Sequence, residues 1–207
     1  ISSRRLILNG VFTHFSSASI DDDSIFLQKN KFDKVRNEIL NDYRFQNKNI
    51  RFHCCASSSL YRIDNSEYDL ARVGIMSYGY VPLINKIDKP DLKPVLSLWG
   101  EKIVSKSVKK GESIGYGLKY TADKDILSST YDVGYGDGFL RLDGSQKAFI
   151  EDGRQILGAV SMNSFSTIGD DQNVCIFENA ERFIDIHKTI VYEIISNINP
   201  SIDRKIV

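Results

Sequence analysis

The spacing of apolar residues changes character once along the chain, near Pro90 and Pro94, and that change limits the fold more than any single motif does. Before it, short apolar runs alternate with a helical pattern. Leu6-Ile7-Leu8-Asn9-Gly10-Val11-Phe12 reads as a strand ending at Thr13-His14-Phe15. Asp21-Asp22-Asp23-Ser24 then offers N-cap chemistry for a helix that carries Phe26, Phe32, Val35, Ile39 and Leu40 near helical spacing. A polar turn around Asn47 to Asn49 leads into a second strand, Ile50-Arg51-Phe52-His53-Cys54. A short helix from Ser57 to Tyr61 and a third apolar segment, Leu70-Ala71-Arg72-Val73-Gly74-Ile75, continue the rhythm of a parallel α/β sheet. Three such strands do not close a barrel by themselves.

After the prolines, Val95-Leu96-Ser97-Leu98-Trp99-Gly100 and Lys102-Ile103-Val104-Ser105-Lys106-Ser107-Val108 alternate apolar positions. Gly117, Gly134, Gly138, Gly144, Gly153 and Gly158 punctuate the residues beyond them, the pattern of an antiparallel β-domain. Helical character returns only from Asn179 to Ile186 and from Ile190 to Ile195. The boundary falls near residues 88 to 93, giving an α/β unit over 1–91 and a β-domain over 92–207. No internal repeat suggests a solenoid.

Composition narrows the function classes. With 207 residues the chain is too short for a complete (β/α)₈ barrel of about 250. Lys+Arg and Asp+Glu both number 27, so no positive field draws in a nucleic-acid backbone. No apolar run approaches the roughly 20 residues of a bilayer span, and too short an apolar stretch comes after Ile1-Ser2-Ser3-Arg4-Arg5 for a signal peptide. A cytoplasmic protein without nucleic-acid or membrane partners is expected. Cys54, Cys55 and Cys175 read as reduced, mostly buried thiols, with adjacent Cys54 and Cys55 on opposite faces of a strand. His14, His53 and His187 lack zinc-motif spacing, so no metal site is expected.

Polar residues cluster where strands end: Thr13-His14-Phe15, Cys55-Ala56-Ser57-Ser58 and Arg72-Val73-Gly74-Ile75. In barrel folds the C-terminal ends of the strands carry the active site. Each residue also has a structural reading, His14 as a strand-end hydrogen bonder, Ser57 as an N-cap, Arg72 as the partner of a carboxylate. Gly115-Tyr116-Gly117 and Gly134-Tyr135-Gly136-Asp137-Gly138 set tyrosines among glycines, which suits either a phenol projecting into a cleft or two β-turns with packing aromatics. Neither stretch has the spacing of a phosphate loop.

Taken in order, these segments resemble alanine racemase, a pyridoxal-phosphate enzyme family of fold type III. The matching stretches are Gly10-Val11-Phe12-Thr13-His14-Phe15, His53-Cys54-Cys55-Ala56-Ser57, Arg72-Val73-Gly74-Ile75 with Tyr78-Gly79, Lys93-Pro94-Val95-Leu96-Ser97-Leu98, Gly111-Glu112-Ser113-Ile114-Gly115-Tyr116-Gly117, Gly134-Tyr135-Gly136-Asp137-Gly138 with Arg141, and Gly158-Ala159-Val160-Ser161-Met162-Asn163. The resemblance implies the last strands and helices of a (β/α)₈ barrel that binds pyridoxal 5'-phosphate, over 1–91, followed by the family's antiparallel β-domain over 92–207. It implies racemisation of L- and D-alanine, supplying D-alanine for peptidoglycan. A proton leaves one face of a planar carbanion stabilised by the cofactor and returns on the other, with one base on each side.

The resemblance also assigns roles. Tyr116 matches the base that serves the L-isomer, reaching the cofactor of the other subunit, so a homodimer with shared sites is implied. A free phenol titrates near about 10, and such a base therefore needs a nearby cation or donor. Arg72 matches the residue facing the pyridine nitrogen, where a donor-only guanidinium leaves that nitrogen unprotonated and limits side reactions. Ser57 with the N–H groups of Gly74 and Ile75 matches the phosphate cradle, and His14 the imidazole beside the ring. Met162 matches the residue whose main chain meets the substrate carboxylate, and Tyr135 a tyrosine of the substrate entryway. The family's cofactor-bearing lysine lies in a Lys-x-x-Ala-Tyr-Gly type motif that this sequence does not contain, so the chain reads as a fragment inactive by itself.

Three departures stand out. Ala56 replaces an asparagine, Asn163 an aspartate, and Asn199-Pro200-Ser201 lacks a phosphate-touching tyrosine. The first and last remove polar contacts to the cofactor, and a lost hydrogen bond to a charged group can cost about 1.5 to 3 kcal/mol, which weakens the expected cofactor affinity. Alternative readings are a racemase of different or broader specificity such as serine, a decarboxylase of the same architecture, or a dimerisation module without turnover.

Overall fold

Two parallel strands and the helix between them organise the first part of the chain. The computed structural model describes residues 7–84, 86–88 and 90–206. The expected N-terminal stretch Ile1 to Leu6 and Lys89 of the expected boundary lie outside them. The chain divides into two compact units, Ile1–Lys93 and Pro94–Val207.

In the first unit, β1 (Gly10–Phe12) pairs in parallel with β2 (Arg51–His53), in the register Gly10 to Arg51, Val11 to Phe52 and Phe12 to His53. Period-two alternation sends Val11 and Phe52 into the core and leaves Phe12 and His53 together on the other face. Strand β1 is shorter than its apolar run, although the Asn9 carbonyl still accepts from Arg51 N–H. The expected third strand does not form as a regular element. Asp69 Oδ2 accepts the Phe52 N–H at 2.6 Å, taking a place that a strand carbonyl would hold, and only an isolated parallel bridge joins Ala56 to Arg72.

Helix α1 (Ser24–Asn41) crosses between the strands. Within the expected capping stretch, the Asp22 carboxylate accepts from both Ser24 N–H (2.9 Å) and Ser24 Oγ–H (2.6 Å), while Asp23, at the N-cap position, makes no side-chain cap bond. The buried face also differs from the expected one. Ile25 and Phe32 are buried and Ile39 packs against the core, whereas Phe26, Val35 and Leu40 are exposed. Cation stems complete the stripe: Lys29 Nζ lies 5.6 Å from the Tyr68 ring centroid, and the Arg36 guanidinium 5.9 Å from the rings of Phe52 and Tyr68. An apolar-only pattern misplaces such a face because long basic side chains cover apolar surface with their methylenes.

The cysteine geometry differs as well. Cys54 and Cys55 are both fully buried with their sulfurs 3.9 Å apart, because β2 ends at His53 and the pleat that would separate them has stopped. Burial pushes both thiols up, Cys55 to about 12.

The second unit is built on β3 (Leu98–Val108), a single 11-residue strand where the sequence reads as two. Minor antiparallel strands β4 (Ser113–Ile114) and β5 (Tyr120–Thr121) come next, then β6 (Ile126–Tyr131), β7 (Phe165–Ile168) and β8 (Asn173–Phe177). The main sheet is antiparallel in the order β7-β6-β3-β8, with β3 pairing β8 through its first residues and β6 through its last. A register shift between Lys102 and Val104 marks the change of partner and leaves Ile103 exposed. Tyr131, Phe139, Phe165, Phe177 and Phe183 form the core, with Phe139 and Phe183 edge to face at 5.2 Å. Helices α2 (Ile184–His187) and α3 (Val191–Asn197) close the chain. Among the described residues no helix is long and apolar enough to cross a membrane.

The two faces of α1 should respond differently to truncation. Ile25→Ala is expected to lower the stability of the chain by about 2 to 5 kcal/mol in urea denaturation, and Val35→Ala by less than about 0.5. Equal losses would refute the assigned face.

Candidate functional site

The polar residues of the first unit meet on the face of the β1–β2 pair turned away from α1. Arg72 is the centre of this group. Nη1 donates to His53 Nδ1 at 2.6 Å and lies 3.4 Å from the His53 carbonyl; Nη2 donates to the Thr13 carbonyl at 2.7 Å and lies 3.4 Å from His14 Nδ1. One guanidinium thus ties together three successive segments of the unit. No carboxylate figures in these contacts, in contrast to the ion pair that an arginine in an apolar run suggests.

His53 is absent from the candidates drawn from the sequence. Its Nδ1 must present a lone pair to a cation, which fixes a neutral ring with any proton on Nε2. Burial, then the positive charges of Arg72 and Arg51, hold its pKa below the ordinary 6.5. The signal was present in the period-two alternation, which puts His53 on the polar face beside the C-terminal end of the strand.

Ser57 is buried, and its Oγ accepts from the N–H groups of Gly74 (3.2 Å) and Met76 (3.4 Å). Two main-chain donors and one hydroxyl therefore converge at the turn that opens the short 3₁₀ segment Ile75–Tyr78. A Cβ built on Gly74 would meet nothing within 4 Å, so open space lies beside these donors. Ile75 itself is buried, with its carbonyl accepting from Tyr80 N–H, and Met76 is the further residue whose N–H points at Ser57. Ala56 offers no polar side chain, and its N–H is engaged by Ser59 Oγ at 2.7 Å.

The second unit places the other candidates in turns. Tyr116 starts a 3₁₀ turn after Gly115, whose φ of 79° suits glycine, and a Cβ there would lie 3.3 Å from Ala159 N. The Tyr116 side chain is 77% exposed. Tyr135 and Met162, 44% and 56% exposed, are brought together by their backbones: Tyr135 N–H donates to the Ser161 carbonyl at 3.0 Å and Gly136 N–H to the Met162 carbonyl at 2.7 Å. Gly134 makes this approach possible, since a Cβ there would sit 2.4 Å from the carbonyl oxygens of Ser161 and Met162. Asn199, in the segment that departs from the family pattern, braces the same turn by donating from Nδ2 to the Gly136 carbonyl at 3.1 Å.

Family models match both units of the chain. Residues 95–206 match the model described as alanine racemase, C-terminal domain, and residues 1–82 the model described as alanine racemase, N-terminal domain. The chain belongs to the alanine racemase family. The alanine racemase of Campylobacter curvus is 38% identical across the whole of this chain, and that of Campylobacter jejuni serotype O:23/36 is 39% identical. The chain spans about 60% of the length of these curated relatives. Among solved structures, the alanine racemase of Clostridium difficile 630 in complex with cycloserine superposes with a TM-score of 0.82 at 27% identity, over 96% of this chain and 56% of that one. The Bacillus anthracis alanine racemase with bound L-Ala-P gives 0.77 at 26% identity, over 92% and 53%. The fold is accordingly that of the family, part of an α/β barrel followed by an antiparallel β-domain.

Depression of the His53 pKa fixes the sign of a pH effect. Between the ordinary 6.5 and the lower folded value the unfolded chain binds the proton more readily, so stability falls as pH drops through that window. His53→Gln keeps an acceptor but cannot titrate. Urea midpoints measured from pH 8 to pH 5 should show a shallower acid loss for this variant than for the parent, and an identical slope would contradict the assigned protonation state.

Proposed function

We propose that these residues form part of a pyridoxal-phosphate-dependent alanine racemase. The activity interconverts L- and D-alanine in the cytoplasm and supplies D-alanine for peptidoglycan. The observation that carries the reading is the conjunction, within the first unit, of a donor-only guanidinium pinned by neutral acceptors and a hydroxyl–amide cluster beside open space. This donor set fits the cofactor. Arg72 would face the pyridine nitrogen, Ser57 with the N–H groups of Gly74 and Ile75 would receive the phosphate, and His14 would lie against the ring. Met76, whose N–H converges on the same hydroxyl, joins them.

When bound, pyridoxal phosphate supplies an electron sink that lowers the cost of negative charge at the substrate Cα. The protein's own contribution is protonic and positional. Arg72 carries no proton that it readily gives up, so an acceptor placed against it stays unprotonated, which favours return of a proton to Cα over competing outcomes. Neutral His53 beside it preserves that asymmetry. Tyr116 removes a proton from the Cα of the L-isomer and, in the reverse direction, returns it from the same face. Its exposure within its own unit leaves the phenol available to the site of a second copy of the chain, and a homodimer with shared sites is proposed accordingly. The Met162 main chain would meet the substrate carboxylate and Tyr135 would flank its entry. The base for the opposite face would be the family's cofactor-bearing lysine, whose motif this sequence does not contain.

Single-turnover hydrogen–deuterium exchange at Cα provides the test, in a chain joining these residues to the lysine-bearing segment. Tyr116→Phe should slow proton abstraction from L-alanine by about 10² or more while leaving abstraction from D-alanine far less affected. Equal loss from both isomers would refute the one-face assignment. Arg72→Glu should raise the yield of transamination by-products, and an unchanged product ratio would refute its role.

A further inference from the structure

Phe12 is a large aromatic side chain at the end of β1 that remains 64% exposed while its neighbours Val11 and Phe15 pack into the core. Core packing does not account for a ring in that position. Its contacts are instead with the polar face: it stacks on His53 with centroids 5.4 Å apart and planes 7° from parallel, and the Arg72 guanidinium lies 5.2 Å from its centroid. The register explains the stack, because Phe12 and His53 are direct cross-strand partners on one face of a parallel pair. The guanidinium reaches this pair from the third segment, held at Nη1 by His53 and at Nη2 by Thr13.

We propose that Phe12 is a positioning residue for Arg72, its ring forming with the His53 imidazole a two-ring brace that fixes the plane of the guanidinium. The acceptors alone set where Nη1 and Nη2 lie. The ring face, attractive to a cation and impassable to it, opposes rotation of the group out of that plane. His14, Arg51 and Asp69 are the other titratable groups near this corner; Arg51 adds positive charge against His53 and Asp69 negative charge, and neither supplies an acceptor to Arg72 in the contacts described. Nε takes no part in those four contacts and stays at the edge of the braced group. Resting on the reading of Arg72 given above, the brace would set the direction in which that edge donates to a ring nitrogen, without Phe12 itself entering the chemistry.

Side-chain ¹⁵N NMR tests the brace without cofactor or turnover. The rate at which the two Nη groups of Arg72 exchange by rotation about Nε–Cζ is compared in the parent, Phe12→Leu and Phe12→Tyr, together with the His53 ring titration. Loss of a cation–ring contact at an exposed site should accelerate the rotation by about threefold or more. Phe12→Leu is expected to do so and to move the His53 titration towards its ordinary value, while Phe12→Tyr, which keeps the ring, should match the parent in both. Unchanged rotation in folded Phe12→Leu overturns the proposal, as does rotation in Phe12→Tyr as fast as in the leucine variant. Should circular dichroism find Phe12→Leu unfolded, Phe12→Tyr and Phe12→Trp decide it: slow rotation in both supports the brace, and fast rotation in both overturns it. Loss of racemisation in the full-length assay with the rotation pattern intact would defeat the functional reading alone.

Discussion

A cation held by neutral acceptors is the constraint on which the rest of the first unit depends. Arg72 donates to two main-chain carbonyls and meets two imidazoles, and these come from the ends of β1 and β2. A carboxylate in the same place would neutralise the charge and leave the site electrically indifferent. Carbonyls and imidazoles satisfy the geometry of the group while leaving its full positive charge available to whatever faces it. Holding it there also commits His53 to its uncharged form, so that one protonation state is written into the hydrogen-bond pattern.

The second unit reaches its arrangement by a different route. Tyr135 and Met162 are drawn together through main-chain contacts that a glycine makes possible, and Tyr116 is carried on a turn with left-handed residues on either side. In the first unit side chains position side chains; in the second, backbone positions backbone and the side chains are left pointing out. That division suits the proposed function, in which the first unit would receive a rigid planar cofactor and the second would offer contacts to a neighbouring copy.

Much of this was legible from residue order. The parallel pair with its intervening helix emerged from apolar periodicity, and the β-domain from glycine punctuation. Four features were not legible. The true face of α1 depends on Lys29 and Arg36 stems that hydropathy counts as polar. The missing third strand depends on Asp69, whose side chain imitates a ladder acceptor. Cys54 and Cys55 escape the strand's alternation because β2 is only three residues long. Within the candidate site, the stacking of Phe12 on His53 and the part of Met76 are set by cross-strand register and by a turn's amide directions, neither of which one segment displays alone.

The main-chain character of the Tyr135–Met162 junction has a consequence for how such a protein can drift over generations. Because the junction is held by amides and carbonyls, the side chains at Ala159, Asn163 and Arg141 are not needed to assemble it. Substitution at those positions leaves the junction's main-chain bonds in place, whereas Gly134 has no room for even one methyl group.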